Sequence, residues 1–479
     1  MLVPLWAAPD TLDRVSDPTA EASLHPESAE PAKGPLAKPY RWLSIGMFAV
    51  IFLAAFETMA VTTIMPLVAR DLEGVALFAL AFAVPFAAGI IGMVLAGNWT
   101  DRAGPLPSLV TSAGLFVAGL LIAGIAPNMA VFVAGRFVHG LAGAAVIVPL
   151  YVIVARVYPE ELRARVFAGF AAAWVIPSIV GPAVAGIVAQ AIGWRWVFLG
   201  VIALLLPAAA MMLPPILQVR HLVRGDTSAS WSLARVGWSV LTAAAALALS
   251  LAKELPEPWR WGVAVAALAL VAVAARPLMP AGTLRAVAGL PATVLLKLIV
   301  AGAFYGSEIY LPYLFIERYG FTPSVAGLAL TGAGISWAAA SWLRGRLDRM
   351  TDARSVQLGA ALLAVSLAVV LLVAAFTPAP VIGFIAWTLA GAAMGFMYPS
   401  FSVAVLRLSP KSEQGFNSAA LSIGDSLGAA VALAATALVS SAVVGGAFTA
   451  EFAVTLVIAV LAVVLAPRVR PRDEASATM

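Results

Sequence analysis

Glu57, Arg136, Lys297, Glu308 and Asp425 stand inside runs of sequence that are otherwise hydrocarbon. An ionisable side chain in such a run costs several kcal/mol unless it is paired or neutral, so each marks a proton or substrate pathway or a structural clamp. Glu57 lies in the middle of its run. Protonated, it is tolerable in a closed, dry site; deprotonated, it can hold a cationic group or an arginine. A carboxyl that alternates between these states carries protons. The plainer alternative is a carboxyl hydrogen-bonded to Thr58 or to another helix. Arg136 is the positive partner available in the same half of the chain, or else a clamp on backbone carbonyls. His139, one turn on, can titrate or serve only as a hydrogen-bonding group.

Lys297 and Glu308 are eleven residues apart, about 20° past three turns of an α-helix, and Ala301 and Phe304 fall on the same stripe. The base and acid are then roughly 16 Å apart along the axis, too far to pair, so each needs its own partner or water. A face carrying a base, a small residue, an aromatic and an acid is expected to line a cavity; snorkelling of each charge toward its nearer surface is the alternative. Asp425, in "LSIGDSLGAA", is flanked by glycines that admit a neighbouring helix. It is a second candidate acid for a proton or a substrate cation, or a structural hydrogen-bonding group.

A different kind of charge sits in "GNWTDRAGP", residues 97–105, between two apolar runs. Gly97 and Gly104 bracket Asp101 and Arg102 and permit sharp turning or close approach. An acid at a helix junction can dock on a neighbouring helix amino terminus, and the arginine can reach an acid on another helix. Contacts of this sort hold a gate that breaks when two halves rock. A topology-setting loop charge is the plainer alternative.

The elements that position these groups follow from composition. The chain has 479 residues, 62% hydrophobic and 11% charged, whereas a soluble chain is about half apolar and about a quarter charged. It is expected to be an all-α polytopic membrane protein. There are no cysteines and three histidines, which argues against a thiolate or histidine metal cluster. Neither a phosphate-binding glycine loop nor a nucleophile elbow occurs, which disfavours ATP coupling and catalysis. The net charge of +5 falls in short loops and carries no nucleic-acid signal.

Fourteen apolar runs are long enough to cross a bilayer: 42–68, 76–98, 108–126, 130–154, 166–191, 194–214, 236–252, 260–275, 288–315, 323–343, 355–376, 380–406, 415–438 and 446–467. With the amino terminus placed inside, 22 of the 29 basic residues fall in inner segments, five in outer ones, and Arg136 and Lys297 in spans. Both termini are therefore expected in the cytoplasm. An internal repeat separates the runs. Pro66 and Pro312 are 246 apart, Asp101 and Asp348 are 247 apart, and Pro159 and Pro410 are 251 apart. The expected organisation is a disordered cytoplasmic tail at 1–41, a six-helix lobe at 42–214, a cytoplasmic link and inserted transmembrane hairpin at 215–287, a second six-helix lobe at 288–467, and a cytoplasmic tail at 468–479. Paired lobes of six helices suit a secondary transporter that rocks around a midplane site.

On these residues the chain resembles the major facilitator superfamily. Gly97, Asp101, Arg102 and Gly104 match its signature loop, although Pro105 and Leu106 replace the trailing basic pair; Asp348 and Arg349 stand in the degenerate second copy. "RFVHGLAGAA" is similar to the family's helix 4 motif, with Arg136 and Gly140 in place. "PSIVGPAVAG" resembles the antiporter motif at Gly181, Pro182 and Gly186, and departs from it at Pro177 and Ala185. "ETMAVTTIMP" partly resembles the drug-exporter pattern of helix 1, with Glu57 for aspartate and Pro66 matching. Together with the inserted hairpin, these matches resemble the fourteen-helix drug:proton antiporter branch. The resemblance implies a major facilitator fold; the buried charges themselves are expected to form a site for proton coupling at Glu57, Arg136 and Asp425. From the same charges and the stripe of the ninth run, a substrate cavity is expected at Glu57, Lys297, Phe304, Glu308 and Asp425. Gating would fall to Gly97, Asp101, Arg102, Gly104, Asp348 and Arg349, and a helix kink to Gly181, Pro182 and Gly186. The partners implied are a small amphipathic substrate, protons and the lipid bilayer of the inner or plasma membrane. No cofactor beyond the proton gradient and a monomeric state are expected. A symporter of a small metabolite, kept open by the ammonium of Lys297, and a lipid translocator are the alternatives.

Overall fold

The computed structural model describes residues 34–38, 40–220, 223, 225, 231–347, 350–410, 413–443 and 446–470. The expectations for the two chain ends, and for Asp348 and Arg349, therefore lie mostly or wholly outside the described residues. Among the described residues, fourteen helices are long and apolar enough to cross a membrane. The first six are α1 (Arg41–Asp71), α2 (Phe78–Ala103), α3 (Pro105–Gly124), α4 (Met129–Val157), α5 (Glu160–Ala191) and α6 (Arg195–Gln218). Next come α7 (Leu233–Leu251) and α8 (Trp259–Ala274). The ninth span is broken at Ile309 into α9 (Leu290–Glu308) and α10 (Tyr310–Tyr319). Then follow α11 (Pro323–Arg346), α12 (Asp352–Phe376), α13 (Pro380–Leu408), α14 (Gln414–Ser441) and α15 (Ala447–Leu465).

Ala, Leu, Val and Ile carry these helices, and prolines fall inside them without ending them, at Pro66 in α1, Pro149 in α4 and Pro399 in α13. Within a long membrane helix the freed backbone groups are re-satisfied by local adjustment and neighbouring helices. Boundaries are set by different means. Asn128 caps α4 through its side chain, which accepts from the Val131 N–H at 3.0 Å, and Thr351 caps α12 in the same way.

The repeat appears as duplicated packing. In the first lobe α1 packs on α5 and α6, α4 on α2 and α3, and α3 on α6. In the second, α9 packs on α14 and α15, α13 on α11 and α12, and α12 on α15. The lobes meet along two seams, α5 with α11 and α2 with α14. The inserted α7 lies over the second seam, touching both α2 and α14, with α8 packed behind it. Because the spans alternate in direction, both ends of the helical bundle share one face, called here the terminal face; the opposite side is the far face.

The lobes are joined near the far face. Arg70 of α1 forms an ion pair with Glu317 of α10. Phe78 of α2 packs against Tyr310 and Tyr313, with ring centroids 6.0 and 5.1 Å away. Gln190 of α5 donates to Ser324 of α11 at 3.1 Å, and the Thr331 hydroxyl donates to the Ile179 carbonyl at 2.9 Å.

Candidate functional site

Glu57 of α1 is fully buried, at 0% exposure. It forms an ion pair with Arg136 of α4. Arg136 and His139 are three residues apart on α4, so both project toward the same neighbour. The guanidinium cannot accept a hydrogen bond, so where Arg136 Nη1 meets His139 Nδ1 at 3.3 Å the imidazole is the acceptor. A neutral ring then carries its proton on Nε2, which lies 3.1 Å from Glu57 Oε2. That approach is not aligned as a hydrogen bond, and both atoms are buried with no other partner among the described residues. Arg136 also donates through Nε to the Ala81 carbonyl at 3.4 Å. Two readings of Arg136, partner of an acid and clamp on a backbone carbonyl, thus coexist in one side chain.

The second lobe holds a separate charged cluster. Lys297 of α9 is buried and pairs with Asp425 Oδ1 of α14 at 3.2 Å. The Tyr398 hydroxyl donates to the same Oδ1 at 2.6 Å, and the Lys297 ammonium lies over the Tyr398 ring. Asp425 is the partly exposed member of the pair. Trp337 packs edge-on to Tyr398 at 4.9 Å and to Phe304 at 5.6 Å. Phe304 stacks on Trp387 at 5.0 Å.

The stripe read from the sequence is therefore divided among different surroundings. Ala301 and Phe304 are buried in helix packing rather than facing open space. Glu308, the last residue of α9 before the break, is buried without an ion pair or hydrogen bond among the described residues. Glu451 of α15 was passed over in the sequence. It is buried, its Oε2 has no partner among the described residues, and it lies one turn from Thr455, which meets Ser307 of α9 at 2.7 Å. The signal was present: Glu451 is an acid inside the run 446–467, as Glu57 is in its own run. Tyr398 and Trp337 carried no comparable signal, because aromatic residues are common throughout the chain.

Asp101 and Arg102 occupy the last turn of α2 and are exposed. Asp101 has no partner among the described residues, so the contact to another helix is not made in this conformation. Of the two bracketing glycines, only Gly104 has a steric role. Its φ of 83° turns α2 into α3, and the link passes so close at Gly225 that a Cβ there would lie 2.3 Å from the Gly104 nitrogen. Gly97 faces open space, with nothing within 4 Å of a Cβ placed on it. At the corresponding junction of the second lobe, where Asp348 and Arg349 fall outside the described residues, Asp352 pairs with Arg344 at 2.8 Å and lies 3.8 Å from Arg407. Gly181, Pro182 and Gly186 all lie in α5. Pro182 meets Gly327 of α11, and Gly186 meets the backbone of Ser324, so this stretch belongs to the seam between lobes.

Comparison with known proteins agrees with this architecture. The sequence model of the Major Facilitator Superfamily matches residues 47–349 and 293–478. A probable multidrug-efflux transporter of Mycobacterium tuberculosis is 28% identical over 212 residues, covering 44% of this chain and 45% of that protein. Multidrug resistance protein 3 of Bacillus subtilis is 27% identical over 158 residues, 33% of this chain and 31% of that protein. The matched stretches thus cover less than half of these relatives. Among solved structures, a D-xylose–proton symporter superposes with a TM-score of 0.66 at 15% identity, covering 90% of this chain and 98% of that one. A peptide transporter of the POT family gives 0.65 at 15% identity, covering 90% and 97%. At such identities the likeness is one of fold. With fourteen membrane-length helices among the described residues, two duplicated lobes and a family match over nearly the whole chain, this protein belongs to the Major Facilitator Superfamily.

Proposed function

We propose that the chain exports small amphipathic compounds in exchange for protons, from an inner or plasma membrane in which both termini face the cytoplasm. The observation that supports this most is the buried Glu57–Arg136–His139 group. In the charged state Glu57 neutralises Arg136 within a dry interior. A proton arriving on Glu57 cancels that attraction and leaves Arg136 held only by the Ala81 carbonyl and the imidazole. The two protonation states therefore favour different packings of α1 against α4, and a substrate that prefers one of them is coupled to the proton.

The direction of transport rests on relatives named for multidrug efflux and multidrug resistance and on the partial exporter and antiporter patterns in α1 and α5. In this reading the terminal face is the cytoplasmic one, and lobes joined at the far face correspond to a conformation closed to the outside. The import alternative drew on Lys297 as a free cavity ammonium. Its pairing with Asp425 weakens that support, and the partly exposed carboxylate is the charge offered to a ligand.

The test uses purified protein in proteoliposomes with an imposed pH gradient and a panel of fluorescent amphiphiles, including ethidium and Hoechst 33342. Gradient-driven flux is expected, and binding of a transported dye should release protons from the wild type. Glu57→Gln imitates the protonated state: it should fold, bind dye with weak pH dependence, release no protons and lose gradient-driven export. Flux that survives collapse of the gradient would overturn proton coupling. Proton release by Glu57→Gln equal to that of the wild type would move the coupling acid to Asp425, Glu308 or Glu451.

A further inference from the structure

The loop from α8 to α9, on the terminal face, encloses a concavity of about 440 Å³ whose lining includes Arg276, Met279, Ala281, Gly282, Thr283 and Arg285. Its backbone is unusual. Gly282 and Ala286 are both left-handed, with φ of 87° and 51°. The turn uses several of its N–H groups internally, Thr283 to Pro280, Arg285 to Gly282 and Ala286 to Thr283. The successive N–H groups of Ala281 and Gly282 have no acceptor among the described residues. Adjacent free N–H groups beside a left-handed residue form a concavity suited to an anion.

The side chains have the same sign. Arg276 and Arg285 flank the concavity, are exposed, and have no ion pair or hydrogen bond among the described residues. No Asp or Glu occurs between Glu257 and Glu308 to neutralise them. The end of α15 adds to the field. The Gly289 N–H donates to the Arg468 carbonyl at 2.8 Å, and Arg468 reaches back to the Ala286 carbonyl at 3.5 Å. The rim is apolar: Leu284 and Val287 are 38% and 48% exposed beside the arginines. Both flanking helices are membrane spans, so the loop lies at the membrane surface, where exposed apolar groups meet acyl chains and arginines meet headgroups.

We propose that this turn is a binding site for an anionic phospholipid headgroup. Arg276 and Arg285 grip the phosphate with their planar donor forks, the Ala281 and Gly282 N–H groups complete the cradle, and Leu284 and Val287 contact the lipid tails. A free phosphate ester would satisfy the polar part and leave the apolar rim unused. The bound lipid would tie the inserted hairpin to α9 and to the end of α15, independently of what the transporter carries or in which direction.

Native mass spectrometry of the full-length protein, taken from bilayers of phosphatidylglycerol mixed with phosphatidylcholine, tests this. Retained phosphatidylglycerol is expected on the wild type. Its occupancy should fall about fivefold for each arginine neutralised, so that Arg276→Gln with Arg285→Gln nearly abolishes it, while the paired Lys substitutions keep a part. Both residues are exposed, and unchanged thermal unfolding in phosphatidylcholine alone shows that the variant remains folded. Equal phosphatidylglycerol occupancy in wild type and double Gln variant would overturn the proposal. Displacement of the lipid by millimolar glycerol 1-phosphate would also overturn it, assigning the turn to a soluble phosphate ester.

Discussion

At the residue scale, the two charged groups differ in what confines them. Glu57 and Arg136 are both sealed from solvent, whereas Lys297 is buried and its partner Asp425 is 27% exposed along the side chain. Removing one member of a buried pair leaves the other uncompensated, and that penalty exceeds the net worth of the pair. Asp425→Asn should therefore destabilise the protein by leaving the Lys297 ammonium against the Tyr398 ring without a counter-charge. Lys297→Met should be milder, because Asp425 can face water. The double substitution should recover most of the loss, giving a coupling of about 0.5–3 kcal/mol in a cycle measured by thermal unfolding in detergent. Additive effects would show that the pair contributes nothing to folding. These acids and bases were legible in the sequence because charge inside an apolar run stands out. The sequence offered Arg136 as the partner of Glu57, but it did not show the partner of Lys297: that lysine finds Asp425, far along the chain, rather than Glu308 on its own helix, since a helix separates residues along its axis while packing unites residues across it.

At the scale of elements, α5 and α11 form a seam built on small residues. A Cβ on Gly186 would lie 2.7 Å from Ser324 Cα and 2.8 Å from its nitrogen, contacts with backbone that cannot yield like a flexible side chain. Gly186→Val should push α11 away from α5 near the far face, so that lobes joined there become less populated. A single cysteine near the far end of α5, in a chain that has none of its own, should react faster with a membrane-impermeant maleimide added from the far side, and transport should fall while membrane insertion is kept. Unchanged labelling and transport would exclude the seam from the rocking motion. The motif was readable because proline and glycine are conspicuous in a helix. Its neighbour was not, since any helix could have supplied the opposing backbone.

At the scale of the molecule, Arg70 and Glu317 are 247 residues apart, the spacing at which Asp101 and Asp348 repeat. The ion pair therefore joins equivalent positions of the two lobes, near their pseudo-twofold axis. An identical repeat would set like charges face to face; here the copies have diverged to opposite signs. Both side chains are partly exposed, at 54% and 34%, so the pair is worth no more than about 1 kcal/mol. Arg70→Glu should shift the conformational balance up to about fivefold toward opening at the far face, measured by cysteine accessibility at position 313, and adding Glu317→Arg should restore it. A double variant that behaves as the single one would exclude the pair as a latch. The proposed topology has a separate check: a cysteine at position 256, between α7 and α8, should label only from outside, and labelling only from the cytoplasm would reverse or discard the assigned orientation.

The sequence by itself determined the class, the number of membrane-length helices and the duplication, because each follows from local quantities: run length, hydropathy and spacing. It also marked Glu57, Arg136, Lys297 and Asp425 as costly residues that must find partners. Arg136 was the partner it offered for Glu57; only the tertiary structure decided the remaining partners, because these contacts depend on the rotation and crossing of helices that apolar composition leaves free. It added His139 to the Glu57–Arg136 pair, set Tyr398 against both Lys297 and Asp425, left Gly97 without a packing role, and laid α7 across the seam of α2 and α14. It also folded the short link after α8 into a basic concavity, which no periodicity in the sequence marks, since its character arises from two left-handed residues and the N–H groups they leave unpaired.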